Sequence, residues 1–514
     1  MVAEQSGGVA GGVGAPSGDG APVSLRQRAF VLVLCAQVAS GIVGGAAPMA
    51  LPAIREAFDT GSAAIQWYAA LYSLGFALVL ILAGRIGDLF GTRRLLLVGY
   101  ATFILSIIGS ALAPSIGVLL AFRLLQGVGA GIMAPQLSAM VQRTFQGHDR
   151  TRAFGVFLMV AGGSFMVGQL VSGALITADV WGLSWRWVYL PSIPFAIVTF
   201  VVAARMLPPT PPGQAGRLDL LGAVVLCGAS FLLMFPIIQG RSAGWPAWIL
   251  TMLVLSIPAY LGFLAYEKRL IGRGGDPLVD PTLFRIRSFG VGNLITMVVA
   301  LLGYAAPIYL ILTIQSGFDK TALDAALLTA PMPFLNMFGS LASAPLVRRF
   351  GRGALMIGGA LVALAAILVL AATRGGAGSV QAWHLVPGIG LTGFAVGVVM
   401  AAATSIVLLE VPPRVAGSAA GVQSTSLQLA GSMGIAFFGL VFYGTIGEST
   451  ELSSYLDAID NVQWIVLGFA AVQVLMAFLM PRHKPSRDDE LTPFDPEMAV
   501  LPDFHGEVDP APVP

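Results

Sequence analysis

Apolar runs of about twenty residues, the length that crosses about 30 Å of hydrocarbon at about 1.5 Å per residue, recur from one end of this 514-residue chain to the other. They start near Ala29, Ala63, Arg94, Ile116, Arg152, Trp187, Asp219, Trp245, Phe289, Leu323, Gly353, His384, Gly417 and Val462, about fourteen spans by hydropathy and loop punctuation. With 56% hydrophobic and 11% charged residues, and a mean hydropathy of +0.83, there is far more apolar sequence than a soluble core can bury. The expectation is an all-α membrane protein that crosses the bilayer many times.

Charge orients the spans. With both termini cytoplasmic, the outer side holds only Arg55, Arg186, Arg241, Lys320 and Arg374, Arg123 lies inside a span, and every other basic residue falls on the inner side. That asymmetry agrees with the positive-inside rule and requires an even number of spans. Residues 1–28 lack the basic leader of a signal peptide and, up to residue 24, are rich in Gly, Ala and Ser; residues 485–514 are acidic and proline-rich. Both read as disordered cytoplasmic tails.

Chemistry is sparse. Cys35 and Cys227 both fall in spans, so no disulfide framework is expected, and neither metal-ligand spacing nor a cofactor motif is present. There is no nucleophile elbow or Walker loop, which argues against an enzyme. The basic residues follow a membrane face loop by loop and form no nucleic-acid patch. Without a nucleotide loop, uphill transport would draw on an ion gradient, as in a secondary carrier.

Between the second and third runs lies GRIGDLFGTRR, Gly84 to Arg94. Its glycines permit a sharp turn and close helix approach. Arg93 and Arg94 hold the turn inside, where Asp88 can pair with them across a moving seam. Gly84, Asp88, Gly91, Arg93 and Arg94 fit the loop between helices 2 and 3 of the major facilitator superfamily, which this stretch resembles, although Leu89 and Thr92 stand where that family usually has basic residues. FRLLQGVGAG, Phe122 to Gly131, resembles the same family's fourth span through Arg123, Gln126, Gly127, Gly129 and Gly131. An arginine in hydrocarbon faces the bundle interior, where it assists proton relay or organises the cavity, or it snorkels to the interface. Gly127, Ala130 and Ala134 share its helical face.

QWYAALY (66–72), SWRWVYLPSIP (184–194), LDLLG (218–222), PLVDPTLFRIRSF (277–289) and GSAAGVQSTSLQLAGSMG (417–434) resemble the fourteen-helix drug:proton antiporter branch, the multidrug efflux type. That resemblance implies an N-terminal six-helix bundle over 29–207, two inserted helices over 208–270 and a C-terminal six-helix bundle over 271–484, with substrate bound between the bundles. APLVRRFGRG, Ala344 to Gly353, looks like a degenerate copy of the Gly84–Arg94 loop in the second half, with Arg348 in place of the acid. Two departures matter: Val43 stands where the first span usually carries an acid, and the fifth-span export motif is reduced to Gly168-Gln169-Leu170-Val171-Ser172-Gly173, without its proline.

The spans supply Trp67, Tyr68, Tyr72, Phe165, Met166, Tyr304, Met332 and Met337, which suit a large adaptable apolar cavity. Gln37, Gln169, Asn336, Gln423, Ser424 and Gln428 can orient a ligand there or hydrogen-bond between helices. With no mid-span acid, neutral, zwitterionic or anionic amphipaths are expected over quaternary cations. Asp88, Asp179 and Glu410 are the carboxylates considered for coupling, each also readable as a loop charge. The expected function is export of drug-like or secondary-metabolite molecules by proton antiport, from a plasma-membrane monomer whose partners are a small-molecule substrate, protons and lipid. An uptake or facilitated carrier, and a non-transporting sensor or scaffold working through its acidic tail, remain the alternatives.

Overall fold

Lipid offers no hydrogen bonds to a peptide group, so each apolar run must satisfy its own backbone, and a helix does so within one segment. In a computed structural model, which describes residues 23–480 apart from 146, 208–218, 276, 377, 408–409, 412–415 and 448, fourteen helices are long and apolar enough to cross a membrane and no strand occurs among the described residues. The first six are α1 (Val23–Ala46), α2 (Ser62–Phe90), α3 (Thr92–Ala111), α4 (Ile116–Thr144), α5 (Gly147–Ala178) and α6 (Ser192–Met206). The next pair is α7 (Leu220–Gln239) and α8 (Ala247–Gly272). The last six are α9 (Arg287–Leu312), α10 (Pro331–Phe350), α11 (Gly353–Thr373), α12 (Val386–Val407), α13 (Ala416–Ile446) and α14 (Leu452–Leu479). Two short helices extend spans: Leu51–Ala57 continues the first, and Ala322–Thr329 leads into the tenth.

Two boundaries differ from the expectation. The first helix begins at Val23, so residues 23–28 are helical and not tail; the acidic tail lies outside the described residues. The last begins at Leu452 and not near Val462. Asp457 and Asp460 lower the local hydropathy, but the helix runs through them, and Thr373 Oγ1 donates to Asp460 Oδ1 at 2.6 Å.

The two sets of six helices pack by one pattern. In the first, α1 pairs with α5 and α6, and α4 with α2 and α3; in the second, α9 pairs with α13 and α14, and α12 with α10 and α11. Equivalent glycines make equivalent contacts: a Cβ on Gly127 of α4 would strike the Tyr72 carbonyl of α2, and one on Gly393 of α12 the Met332 carbonyl of α10. Without a hydrophobic drive between helices in lipid, such close van der Waals approach holds the spans together. The turns repeat as well. Gly91 (φ 93°) joins α2 to α3, and Gly351 (φ 55°) joins α10 to α11, both in the region that disfavours a side chain. Beside each turn an arginine ties its helix to the last helix of the same half: Arg93 Nη2 donates to Ala204 O at 2.5 Å, and Arg352 Nη1 to Phe478 O at 2.6 Å.

The halves meet along two seams. One runs between α2 and α13; the other joins α5 to the Ala322–Thr329 helix and α10. The inserted hairpin α7–α8 lies on the first seam, with α7 touching both α2 and α13. Trp67 of α2 stacks on Phe235 of α7 at 6.1 Å, and Ser432 Oγ of α13 contacts Met234 Sδ at 3.5 Å. On α8 only Ile249, Ser256, Phe263 and Glu267 are buried, so most of that helix faces outward. Since fourteen is even, the two ends of the helical region lie at one face, called here the terminal face.

Candidate substrate cavity and its gates

Between the halves lies a cavity of about 1000 Å³ walled by α1, α2, α4, α5, α9 and α13. Its lining is mainly apolar and small, with Phe76, Met133, Phe165, Pro307 and Ile308 among the larger side chains. Polar atoms enter from Gln37, Ser73, Ser138, Ser424 and Gln428, and positive charge from Arg123 and, nearer the terminal face, Arg85. No Asp or Glu lines it among the described residues.

Arg123 is 4% exposed and does not snorkel. Its Nε donates to Tyr68 O at 3.2 Å and its Nη1 to Gln126 Oε1 at 2.6 Å, while the guanidinium lies 4.8 Å from the Tyr68 ring centre and 5.0 Å from that of Tyr72. Tyr68 is itself fixed by a 2.8 Å bond between its hydroxyl and that of Tyr189. Two aromatic faces and two neutral acceptors hold the cation without cancelling its charge. It therefore presents a fixed positive potential to the cavity. Gly127, one turn on, allows α2 to come close enough for Tyr72 to reach Arg123.

The seven expected cavity residues divide. Gln37, Tyr72 and Gln428 line the cavity, and Gln428 Oε1 accepts from the Tyr304 hydroxyl, itself on the wall. Trp67 does not: it turns to the inserted hairpin and stacks on Phe235. Asn336 spans α10 and α12, its Nδ2 donating to Gly393 O at 3.2 Å. Gln423 is buried off the cavity wall, its Nε2 without a partner. Gln169 lies across the second seam, where Nε2 donates to Ala326 O at 3.1 Å and Thr329 Oγ1 at 2.5 Å. For these four, the side chain's helical face, and not its polarity, decides the role. Ser424 and Gln428, one turn apart on α13, form a polar stripe on the wall, and Ser432, a further turn on, donates to Leu429 O at 2.8 Å.

Gln169 belongs to a closed gate on the face opposite the terminal one. Beside it Leu323 N donates to Thr177 Oγ1 at 2.9 Å, Gln315 Nε2 donates to Met49 O at 3.2 Å, and a Cβ on Gly173 would lie 2.7 Å from that of Ala326. Two segments of the second half, 313–317 and the Ala322–Thr329 helix, thus cover the ends of α1 and α5. In the other direction the lining continues through Gly84, Arg85, Ser138, Ala139, Ala420 and Gly421, near the terminal ends of α2, α4 and α13.

At that end stands the Gly84–Arg94 loop. Gly84 lines the cavity, Gly91 makes the turn, Arg93 binds α6 within its own half, and Arg94 is exposed. The Asp88 side chain lies outside the described residues. The residue that crosses to the second half is Arg85, whose guanidinium donates to Pro277 O in the segment leading to α9. No helical periodicity points to Arg85, since adjacent residues of a helix lie on different faces. Gln136 was also missed: its Nε2 donates to Ala83 O at 2.8 Å and its amide packs where a Gly87 side chain would be.

Of the carboxylates weighed for coupling, Asp179 is exposed and caps Ser184 N at 3.0 Å, and Glu410 is exposed and reaches Ser288 N at 3.4 Å. Both hold loops. No group of side chains fit to hold a metal occurs among the described residues.

Comparison with known proteins places this geometry. The Major Facilitator Superfamily profile matches residues 33–435. The "Probable actinorhodin transporter" of Streptomyces coelicolor is 31% identical over 84% of this chain and 75% of its own length. A cephamycin export protein of Amycolatopsis lactamdurans is also 31% identical, over 84% of this chain and 88% of its own. A puromycin resistance protein of Streptomyces alboniger is 28% identical over 89% and 91%. Among solved structures, a bacterial homologue of the human lysosomal transporter Spinster, inward-facing and unoccupied, superposes with a TM-score of 0.65 at 15% identity, covering 91% of this chain and all of that one.

Proposed function

This chain belongs to the major facilitator superfamily and is a multi-pass membrane transporter, not an enzyme; from that premise we propose that it exports amphipathic drug-like or secondary-metabolite molecules by proton antiport and alternating access. The terminal face is cytoplasmic in this reading, the membrane is the plasma membrane, and the molecule works as a monomer, because one chain supplies the whole cavity wall. The observation that carries the reading is the cavity of about 1000 Å³, sealed on one face by the Gln169 gate and lined toward the other as far as Arg85. That is the arrangement of a carrier waiting for substrate from the cytoplasm.

The substrate is large, largely apolar, and neutral, zwitterionic or anionic. The charges on the described lining, Arg123 and Arg85, are both positive, and a cation would meet no carboxylate among the described lining residues. Relatives named for actinorhodin transport, cephamycin export and puromycin resistance support natural products of this size.

The test is flux of hydrophobic fluorescent compounds from proteoliposomes, with and without an imposed proton gradient, for the native protein and Arg123→Ala. Gradient-dependent flux that disappears in Arg123→Ala is expected. Flux indifferent to the gradient would replace antiport with facilitated exchange, the reading that a carboxylate-free lining favours. No flux for any compound would refute the carrier role for that substrate class.

A further inference from the structure

Two sequence stretches have so far had no part in transport, LDLLG at the start of α7 and PLVDPTLFRIRSF before α9, and in the structure they meet at one point. Asp219 caps α7, with Oδ1 accepting from Gly222 N at 2.8 Å and from the Tyr266 hydroxyl at 2.8 Å. Glu267 projects from α8, and its Oε2 accepts from Leu278 N at 2.9 Å. Each carboxyl group is thereby satisfied through one oxygen. The other two, Asp219 Oδ2 and Glu267 Oε1, are buried, have no donor, and face each other: a Cβ on Gly222 would lie under 3.0 Å from both.

We propose that Asp219 and Glu267 hold a single proton between them and form a proton-binding site on the inserted hairpin. The two residues are 6% and 0% exposed. Two carboxylates at such range in an apolar setting cannot both remain ionised, and one hydrogen shared between the facing oxygens removes the repulsion and satisfies both atoms at once. The surroundings are apolar: Ala223, Leu226, Phe263, Leu278 and Val422 pack there. Other ionisable groups of the neighbouring elements are engaged or turned away. Tyr266 donates to Asp219, Asp280 binds Thr282, Arg85 of α2 is on Pro277 O, and Lys268, Arg269 and Glu410 are exposed. Among the described residues no donor reaches either facing oxygen.

The site bears on the terminal-face end of the cavity through one peptide group. Glu267 holds the amide of Leu278, and Arg85, which lines the cavity, holds the carbonyl of Pro277. With its proton the pair fastens this segment to the hairpin. Without it, repulsion between the carboxylates acts directly on the Glu267 bond and frees the segment that Arg85 grips. This gives the antiport reading a titratable group that the cavity lining lacks, and only the transport consequence rests on that reading.

The experiment is an infrared pH titration of the full-length protein in lipid, read at the carbonyl stretch of a protonated carboxylic acid in native protein, Glu267→Gln and Asp219→Asn. The expected result is a band in the native protein at neutral pH that disappears on titration to alkaline pH and is missing at neutral pH in Glu267→Gln. In Asp219→Asn, where the like charge is replaced by an amide able to donate, the band should vanish at lower pH than in the native protein. No such band in the native protein at neutral pH, or a band of equal size and midpoint in all three, overturns the proposal; the native titration decides it even if a variant fails to fold. Gradient-driven flux is measured on the same preparations. A titrating band with no gradient effect on flux leaves the proton site standing and removes antiport, whereas gradient-driven flux with no band does the reverse.

Discussion

Replacing Gln169 with Leu should unlatch the gate opposite the terminal face while leaving the cavity wall intact. The side chain is 3% exposed and gives two hydrogen bonds, to Ala326 O and Thr329 Oγ1, across the seam between halves. Leucine removes both, and the Ala326 carbonyl loses a partner, while the Thr329 hydroxyl keeps its own bond to Ala325 O at 2.6 Å. At about 1 kcal/mol net for each lost bond, the closed state loses about 2 kcal/mol relative to the open one. That corresponds to about a 30-fold rise in the ratio of open to closed molecules. The readout is electron–electron double resonance between spin labels at Glu56 and Lys320, exposed positions on opposite halves, after the two free cysteines, Cys35 and Cys227, have been replaced. The ratio of longer- to shorter-distance populations should grow by that factor, and Thr329→Val should show a smaller shift in the same direction. A distance distribution unchanged in Gln169→Leu would refute the reasoning, since it would mean that the gate is held by packing alone.

The remaining predictions concern the wall, the turn and the hairpin. Arg123→Ala should weaken equilibrium binding of an anionic substrate by about 10- to 100-fold, the value of a charge-assisted hydrogen bond of about 1.5–3 kcal/mol, while its uncharged analogue changes little by calorimetry. Equal losses for both would show that Arg123 only braces Tyr68 and Tyr72. Gly91→Ala places a methyl at φ 93° and should cost about 1–2 kcal/mol, seen as a lower unfolding temperature; no shift would mean that the turn relaxes freely. Trp67→Ala should retain substrate binding and lower thermal stability, by less than the about 3–5 kcal/mol of a fully buried aromatic, because its ring meets Phe235 and not the cavity; a loss of binding at unchanged stability would contradict that placement.

Helix number and identity were legible because lipid leaves one way to satisfy a peptide group, so hydropathy and backbone structure coincide. The last helix shows where that equivalence fails: Asp457 and Asp460 interrupt hydropathy, yet Thr373 on a neighbouring span accommodates one of them. Arg123 and Gly127 were legible for a different reason, since a charge or a gap in a span has few tolerable positions. Amides gave no such constraint. Gln37 and Gln428 reach the cavity while Gln169, Asn336 and Gln423 do not, because an amide serves as well between helices as toward a ligand, and a period of about 3.6 residues does not reveal which neighbour each face meets. The carboxyl pair was hidden by separation: Asp219 and Glu267 lie at opposite ends of a hairpin's sequence and meet only because its two arms fold back on each other.

The hairpin also breaks a symmetry. The six-helix halves share one principal pairing pattern, and a scaffold so built would offer lipid two comparable clefts, one at each seam. With α7 resting on both α2 and α13, and α8 outside it, one cleft is walled by two additional helices and the other is not. A molecule dissolved in the bilayer, as distinct from one arriving through water, therefore meets this carrier as a one-sided object, with its sideways approach confined to the flank of α5 and α10.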